Sequence, residues 1–309
     1  MEEKNMSEKL LLIDANSLIY RAYHALPPLN GPNGVPTGAL YGLASVLIRL
    51  LKEGAPRYAA AAFDRPEPTF RKEKFDAYKA TRPPTPDDLI PQLKEAKVLL
   101  NHFGIKTLDA PGFEADDIIA TLAERFKGKT DQVVILSGDL DLLQLVDGEA
   151  IVAEMPQKGI SETATYNTFK VIERFGVGPD KIPDYKGLVG DKSDNIPGVS
   201  GIGPKTATVL IQKYGSVEGI YENLEQIKKE SSTLGNKLEE NKEVALLSKE
   251  LATVSRQAPS PEEILSLETT TSLDSEELHE YLKSFGFQTL VKRIEKVADD
   301  KDDRIGKLF

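Results

Sequence analysis

The sequence predicts an α/β protein with a central, mostly parallel sheet flanked by helices, followed by a smaller and largely helical part. Three observations carry this. Lys9–Ile13, Tyr58–Phe63 and Gln132–Leu136 are short continuous apolar runs, the pattern of strands buried on both faces. Helical periodicity fills the gaps at Thr37–Glu53, Pro86–Phe103 and Glu114–Phe126. Beyond residue 160 the apolar residues recur at helical spacing, punctuated by Gly and Pro, over Thr165–Phe175, Ile182–Val189, Pro204–Tyr214, Leu238–Ser248, Asp274–Phe285 and Leu290–Val297.

Taken in order, Lys9–Ile13 (K-L-L-L-I) is a strand that ends at Asp14. Tyr58–Phe63 (Y-A-A-A-A-F) ends at Asp64, although Ala is a poor strand former. Gln132–Leu136 (Q-V-V-I-L) runs into Ser137-Gly138-Asp139. Between the second strand and the next helix, residues 66–86 carry five prolines around a basic, aromatic stretch, which marks an excursion from the sheet. The expected units are an α/β domain over 1–175, a helical unit over 176–297 and a charged tail or linker over 298–309.

Composition removes several classes. The 309 residues hold no cysteine, so disulfides and thiolate zinc sites are excluded, and a reducing cytoplasm is the expected location. Three histidines are too few for a His-rich metal centre. There is no apolar run long enough to cross a membrane, and no small-residue cleavage site follows the charged N-terminus. The net charge of −10 speaks at first against a nucleic-acid partner. Nine of the acids fall in a few short motifs, however, and the remainder of the chain is close to neutral.

Those acids are the main signal. Asp14, Asp64 and Asp139 stand at the ends of three strands, where an open parallel sheet binds its ligands. Asp141 follows two residues later, Glu114, Asp116 and Asp117 open a helix in E-A-D-D, and Asp191 and Asp194 lie in G-D-K-S-D-N-I-P-G. One such Asp alone is commonly a turn or cap residue. Nine together in one cleft would repel each other unless neutralised, and oxygen ligands suit Mg²⁺ or Mn²⁺. Two such ions can drive phosphodiester hydrolysis without a Ser, Cys or His nucleophile.

Two further segments point to nucleic acid. In I-P-G-V-S-G-I-G-P-K-T-A, residues Gly198, Gly201, Gly203, Lys205 and Thr206 form a Gly-rich turn between helices that can grip a duplex backbone. Pro204 between Gly203 and Lys205 excludes a P-loop. A plain interhelical turn is the alternative. In F-R-K-E-K-F-D-A-Y-K-A-T-R, the cations Arg71, Lys72, Lys74, Lys79 and Arg82 interleave with Phe70, Phe75 and Tyr78, a platform for a single strand or else a solvated helix. Arg21, Tyr20 and His24 follow Asp14 closely, His24 as a packing or hydrogen-bonding residue.

The motifs L-L-I-D-A-N-S-L-I-Y-R-A-Y-H-A, A-A-F-D-R-P-E-P-T-F-R, Y-K-A-T-R-P-P-T-P-D-D-L, E-A-D-D-I-I-A-T-L-A, S-G-D-L-D-L-L-Q-L-V and G-D-K-S-D-N-I-P-G-V-S-G-I-G-P-K-T-A occur in one order along the chain. In that order the chain resembles the 5′ nuclease (flap endonuclease) superfamily, nearest the 5′–3′ exonuclease domains of bacterial DNA polymerases I. The resemblance spans roughly Leu10–Val297. It implies a PIN-like fold with a helix-three-turn-helix near 184–213, and places all nine acids at the metal site, some through water. It further implies that Tyr78, Lys79 and Arg82 act at an arch or clamp near the scissile phosphate, that Arg21 stands beside the active site, and that the Gly198–Ala207 turn binds duplex and can hold K⁺. The implied substrates are branched or nicked DNA with a 5′ flap or 5′ end and RNA–DNA primer junctions, in replication and repair. A polymerase domain or protein is an implied partner, and a monomer is the default. A non-catalytic branched-DNA module and a PIN-type ribonuclease remain the alternatives. A phosphatase is disfavoured because Asn16 stands where a second Asp would be needed.

Overall fold

Residues 8–32, 34–157, 162–270 and 273–296 are described by the computed structural model. The expected charged tail therefore lies outside the described residues. Six strands, β1 (Lys9–Asp14), β2 (Tyr58–Ala62), β3 (Lys106–Leu108), β4 (Gln132–Leu136), β5 (Ile151–Pro156) and β6 (Thr163–Tyr166), form one sheet in the order β3-β2-β1-β4-β5-β6. All pair in parallel except β5 with β6. The strand order reverses between β1 and β4, so a crevice opens at their carboxyl ends. The sequence missed β3, β5 and β6; the helix expected from Thr165 begins only at Thr168, after β6.

Side-chain alternation divides β1 between two cores. Leu11 and Ile13 face α1 (Ala15–Ala25), α2 (Gly38–Gly54) and α4 (Ile90–His102), whereas Leu10 and Leu12 face α5 (Ala115–Phe126). The four alanines of β2 divide the same way, with Ala59 and Ala61 on one side and Ala60 and Ala62 on the other. Complete burial of this central strand outweighs the low strand propensity of Ala. Asp14 caps α1 by accepting from the Ser17 amide at 3.0 Å, so the strand-to-helix turn fixes the first acid. A short helix, α3 (Phe70–Lys74), is the only regular element of the excursion after Asp64 among the described residues.

The helical part has its own core, including Leu188, Ile202, Leu210, Ile211 and Leu238. It contains α6 (Thr168–Phe175), α7 (Ile182–Val189), α8 (Pro204–Tyr214) and further helices at Val217–Glu222, Leu224–Glu230, Ser232–Glu240 and Lys242–Ala252. The single helix expected over Leu238–Ser248 is thus two, broken at Asn241, the cap residue between them. Leu278, Leu282, Phe287, Leu290, Val291 and Ile294 do not join this core. They pack back on α1, α2 and α4, so the last segment belongs physically with the sheet and not with the unit over 176–297 expected from sequence.

The turn between α7 and α8 is built on close backbone approach. Gly198 has φ +63°, and a Cβ there would lie 2.3 Å from the Gly190 nitrogen. Gly198→Ala is therefore expected to lower stability by roughly 2 kcal/mol or more, from strain plus a clash with backbone. Denaturant titration beside Gly203→Ala checks this, since a Cβ at Gly203 meets nothing within 4 Å.

Candidate active site

At the mouth of β1, β2 and β4 lies a cleft of about 970 Å³ whose walls include Asp14, Asp64, Glu114, Asp116 and Asp139, together with Lys79 and Arg82. Each acid is placed by local structure. Asp14 also accepts from the Ser137 hydroxyl at 2.6 Å, which ties the ends of β1 and β4 together. Asp64 accepts from the Ala115 amide at 2.8 Å and so caps the first turn of α5 from another segment. Asp139 accepts from the Asp141 amide at 2.9 Å. Asp116 projects from the first turn of α5, where the helix dipole favours an acid.

Asp14 is pushed up to about 7 by burial, with the Asp64 and Asp139 charges adding to it and the Ser137 and Ser17 hydrogen bonds opposing it. Burial likewise raises Asp116, with Asp139 and Asp14 adding. It raises Asp139 too, where Lys186 is the largest opposing influence. Among the described residues no three carboxylates converge closely enough to ligate one ion directly, so an ion would need side-chain rotation or bridging water. The donors are nonetheless all oxygen, and among the described residues Asp14, Asp116 and Asp139 make no direct ion pair, so nearby lysines and arginines offset their like charge only from a distance, which is the chemistry of a hard-cation site.

This gives a stability prediction with a definite sign. Folded Asp14 keeps a proton up to about pH 7 that the unfolded chain releases near 4. The ion-free fold thus loses stability as pH rises through that window, by on the order of 2–4 kcal/mol. Melting in EDTA is expected to weaken from pH 5 to 7.5. Mg²⁺ should flatten the slope, and Asp14→Asn should flatten it without Mg²⁺. An identical slope in all three cases would remove Asp14 as its origin.

The other expected acids are placed differently. Asp117 is fully buried and receives Arg71 at 2.7 and 2.9 Å and the Ser255 amide at 2.7 Å. It closes a capping box with Glu114 and has no face toward the cleft, which corrects its assignment as a metal ligand. Glu114 accepts from Lys79 Nζ at 2.8 Å, the Tyr78 hydroxyl at 3.0 Å and Arg71 at 3.2 Å. Asp194 accepts from Arg82 at 2.6 Å and Tyr78 at 3.2 Å. Asp141 and Asp191 share the Lys186 ammonium. Lys186 and Ser193 hold Asp191 below the usual carboxylate range against the opposing effect of burial. Lys186 was missed by sequence reasoning; a lone Lys in I-P-D-Y-K-G-L-V carries no visible signal of its partners.

The basic segment also turns partly inward. All five Arg71 N–H groups are engaged, by Asp117, Glu114 and the Leu251 and Thr253 carbonyls, and the residue is 2 % exposed. Arg71 therefore cannot meet DNA as expected. Tyr78 is buried with its hydroxyl on Glu114 and Asp194, so it is no stacking surface. Phe70 packs edge-on against Phe113, and Lys72 donates to the Asp76 carbonyl. Lys79 sits at φ +54°, its amide donating to the Asp194 carbonyl at 2.9 Å and its ammonium reaching the cleft. Burial works against the Lys79 charge, and Glu114 and Asp194 more than offset it. Arg21 donates to the Gln157 carbonyl at 2.6 Å and lies beside Gly138, at the edge of the acid mouth. In the interhelical turn Gly198 is buried and donates to the Ser248 hydroxyl at 3.0 Å, so it serves the turn and not a phosphate. Gly201, Gly203 and Lys205 are exposed, and Thr206 is half-buried.

An open parallel sheet with acids at its switch point, lined also by lysine and arginine and joined to a separate helical part, is an arrangement suited to processing phosphodiesters. Residues 9–176 match the family model for the 5′-3′ exonuclease N-terminal resolvase-like domain, and 177–275 that for its C-terminal SAM fold. The chain belongs to the 5′–3′ exonuclease family. It is 45% identical over 221 residues to a 5′-3′ exonuclease of Aquifex aeolicus, covering 72% of this chain and 75% of that one. It is 41% identical over 288 residues to DNA polymerase I of Caldicellulosiruptor bescii, covering 93% of this chain but 33% of that one. The chain thus spans about a third of the length of the polymerases it matches. Its fold is that of T5 5′-exonuclease, solved with divalent zinc bound, at TM-score 0.66 and 20% identity, with 94% and 98% of the two chains covered. It is also that of flap endonuclease-1 from Methanococcus jannaschii, at TM-score 0.56 and 22% identity, with 95% and 92% covered. No helix among the described residues is long and apolar enough to cross a membrane.

Proposed function

We propose that this chain is a structure-specific 5′ nuclease that cleaves DNA, and RNA primers annealed to DNA, near a 5′ flap or 5′ end in replication and repair. The observation that carries it is the set of mutually repelling acids at the sheet mouth, Asp14 buried and Asp116 and Asp139 half-buried, lining one cleft with Lys79 and Arg82. Asp14, Asp64, Asp116 and Asp139 would hold Mg²⁺ or Mn²⁺, with Glu114 behind them. The ions supply, when bound, Lewis-acid activation of water and of the scissile phosphate.

The chain's own groups do the rest. Ser137 and Ser17 orient the Asp14 carboxylate. Glu114 aims the Lys79 ammonium, and Asp194 aims Arg82, so two cations face a phosphate without rotamer search. Exposed Lys205 and the first-turn amides of α8 would grip duplex backbone, and K⁺ at the same turn is part of this reading. Similarity to full-length polymerases supports a polymerase domain or protein as partner, and the protein acts as a monomer in the cytoplasm.

The test is a 5′-labelled flap on duplex DNA, incubated with Mg²⁺ or EDTA beside a single-stranded RNA control. Mg²⁺-dependent cutting at the flap junction is the expected result. Tight binding with no cutting in Mg²⁺ or Mn²⁺ would leave a binding module, and preferential cutting of the RNA would make it a ribonuclease.

A further inference from the structure

The acid mouth is divided into two halves with different electrostatics. Asp14, Asp116 and Asp139 make no direct ion pair among the described residues, although the Lys186 charge also acts on Asp139 from a distance, while Asp141, Asp191 and Asp194 each carry a cation of the protein itself. The sharpest case is Lys186. Its side chain is 10% exposed, and its ammonium lies between Asp141 Oδ1 and Asp191 Oδ2, the latter at 2.5 Å. The second Asp191 oxygen accepts from the Ser193 amide at 2.8 Å and hydroxyl at 2.6 Å, so both oxygens of that carboxylate are engaged within the protein.

The backbone that carries Lys186 has no room to retreat. A Cβ at the adjacent Gly187 would lie 2.9 Å from the Lys249 Cβ and 3.1 Å from the Ala245 carbonyl oxygen, so α7 is pressed onto the Lys242–Ala252 helix. Only the flexible Lys stem can move. A buried ammonium between two carboxylates occupies the space and the charge that a divalent ion would need there.

We propose that Lys186 is a displaceable internal counter-cation, so that a divalent ion enters at Asp141 and Asp191 only by ejecting it. The two halves of the mouth then differ in affinity by construction: the Asp14, Asp116 and Asp139 half fills first, and the Asp141 and Asp191 half fills at higher ion concentration. This rests on the reading above that the acids hold divalent ions. Lys186 is a positioning residue for Asp141 and Asp191 in the ion-free state and a competitor in the loaded one.

The experiment titrates Mn²⁺ by electron paramagnetic resonance into the wild-type chain, Lys186→Met and Lys186→Arg, without DNA. The wild type is expected to bind Mn²⁺ in a tight and a weaker step. Lys186→Met should strengthen the weaker step at least tenfold, and Lys186→Arg, which keeps the charge, should not. Ion-free Lys186→Met should melt lower than wild type and gain more from Mn²⁺. If Lys186→Met fails to fold without ions, Lys186→Gln, which keeps a donor, is titrated in its place with the same expectation. An unchanged or weakened second step in a variant with wild-type circular dichroism overturns the proposal and leaves the nuclease reading intact. Absence of any Mn²⁺ binding by the wild type would sink both.

Discussion

Asp116→Asn is expected to lower Mg²⁺-dependent flap cleavage by roughly a thousandfold or more, which corresponds to about 4 kcal/mol of transition-state stabilisation. Its diagnostic value lies in a second effect of opposite sign. The Asp116 carboxyl is raised by burial and by Asp139 and Asp14, so the fold tolerates its charge poorly. Removing that charge should stabilise the ion-free protein at pH values where the carboxyl would otherwise ionise. A carboxylate that merely supported the fold would lower both activity and stability. Cleavage rates paired with melts in EDTA separate the cases, and a less stable ion-free variant would remove Asp116 from the ion site.

Arg71→Met is expected to be among the most destabilising single changes in the chain. It leaves Asp117 buried with its charge uncompensated and frees the Leu251 and Thr253 carbonyls. Breaking a buried pair of this kind costs roughly 3–5 kcal/mol, or about 10 °C in a protein this size. Denaturant titration measures it. Duplex affinity of the fraction that remains folded should be unchanged, because Arg71 has no exposed donor. A stable variant with weakened DNA binding would restore the surface role that its sequence context suggests.

Sequence reading reached the architecture because the physics is local there. An apolar run followed by Asp names both a strand and its ligand-bearing end, and this located Asp14, Asp64 and Asp139 together with β1, β2 and β4. It failed where the deciding partner is remote. Arg71 looks like a surface cation until Asp117, Leu251 and Thr253 are brought to it. Asp117 looks like a ligand for the same reason. Lys186 is invisible without Asp141 and Asp191. The strand β3 has three residues, none of them buried, too short and too polar to show as a run. The strands β5 and β6 meet as an antiparallel pair at the edge, where Pro156 and Thr163–Tyr166 resemble a loop and a helix start.

The return of the last segment to α1, α2 and α4 bears on how the chain is made. Tyr41 meets Thr289 at 3.2 Å and Arg293 meets Ser45 at 3.1 Å, across a separation of 248 residues in each case. A ribosome that has released only the first 176 residues has produced α1, α2 and α4 with part of their apolar surface still uncovered, since Leu278, Leu282, Phe287 and Leu290 are not yet synthesised. The earliest part of the protein therefore completes its packing only when the last segment arrives, and until then it exposes apolar surface of the kind that drives aggregation.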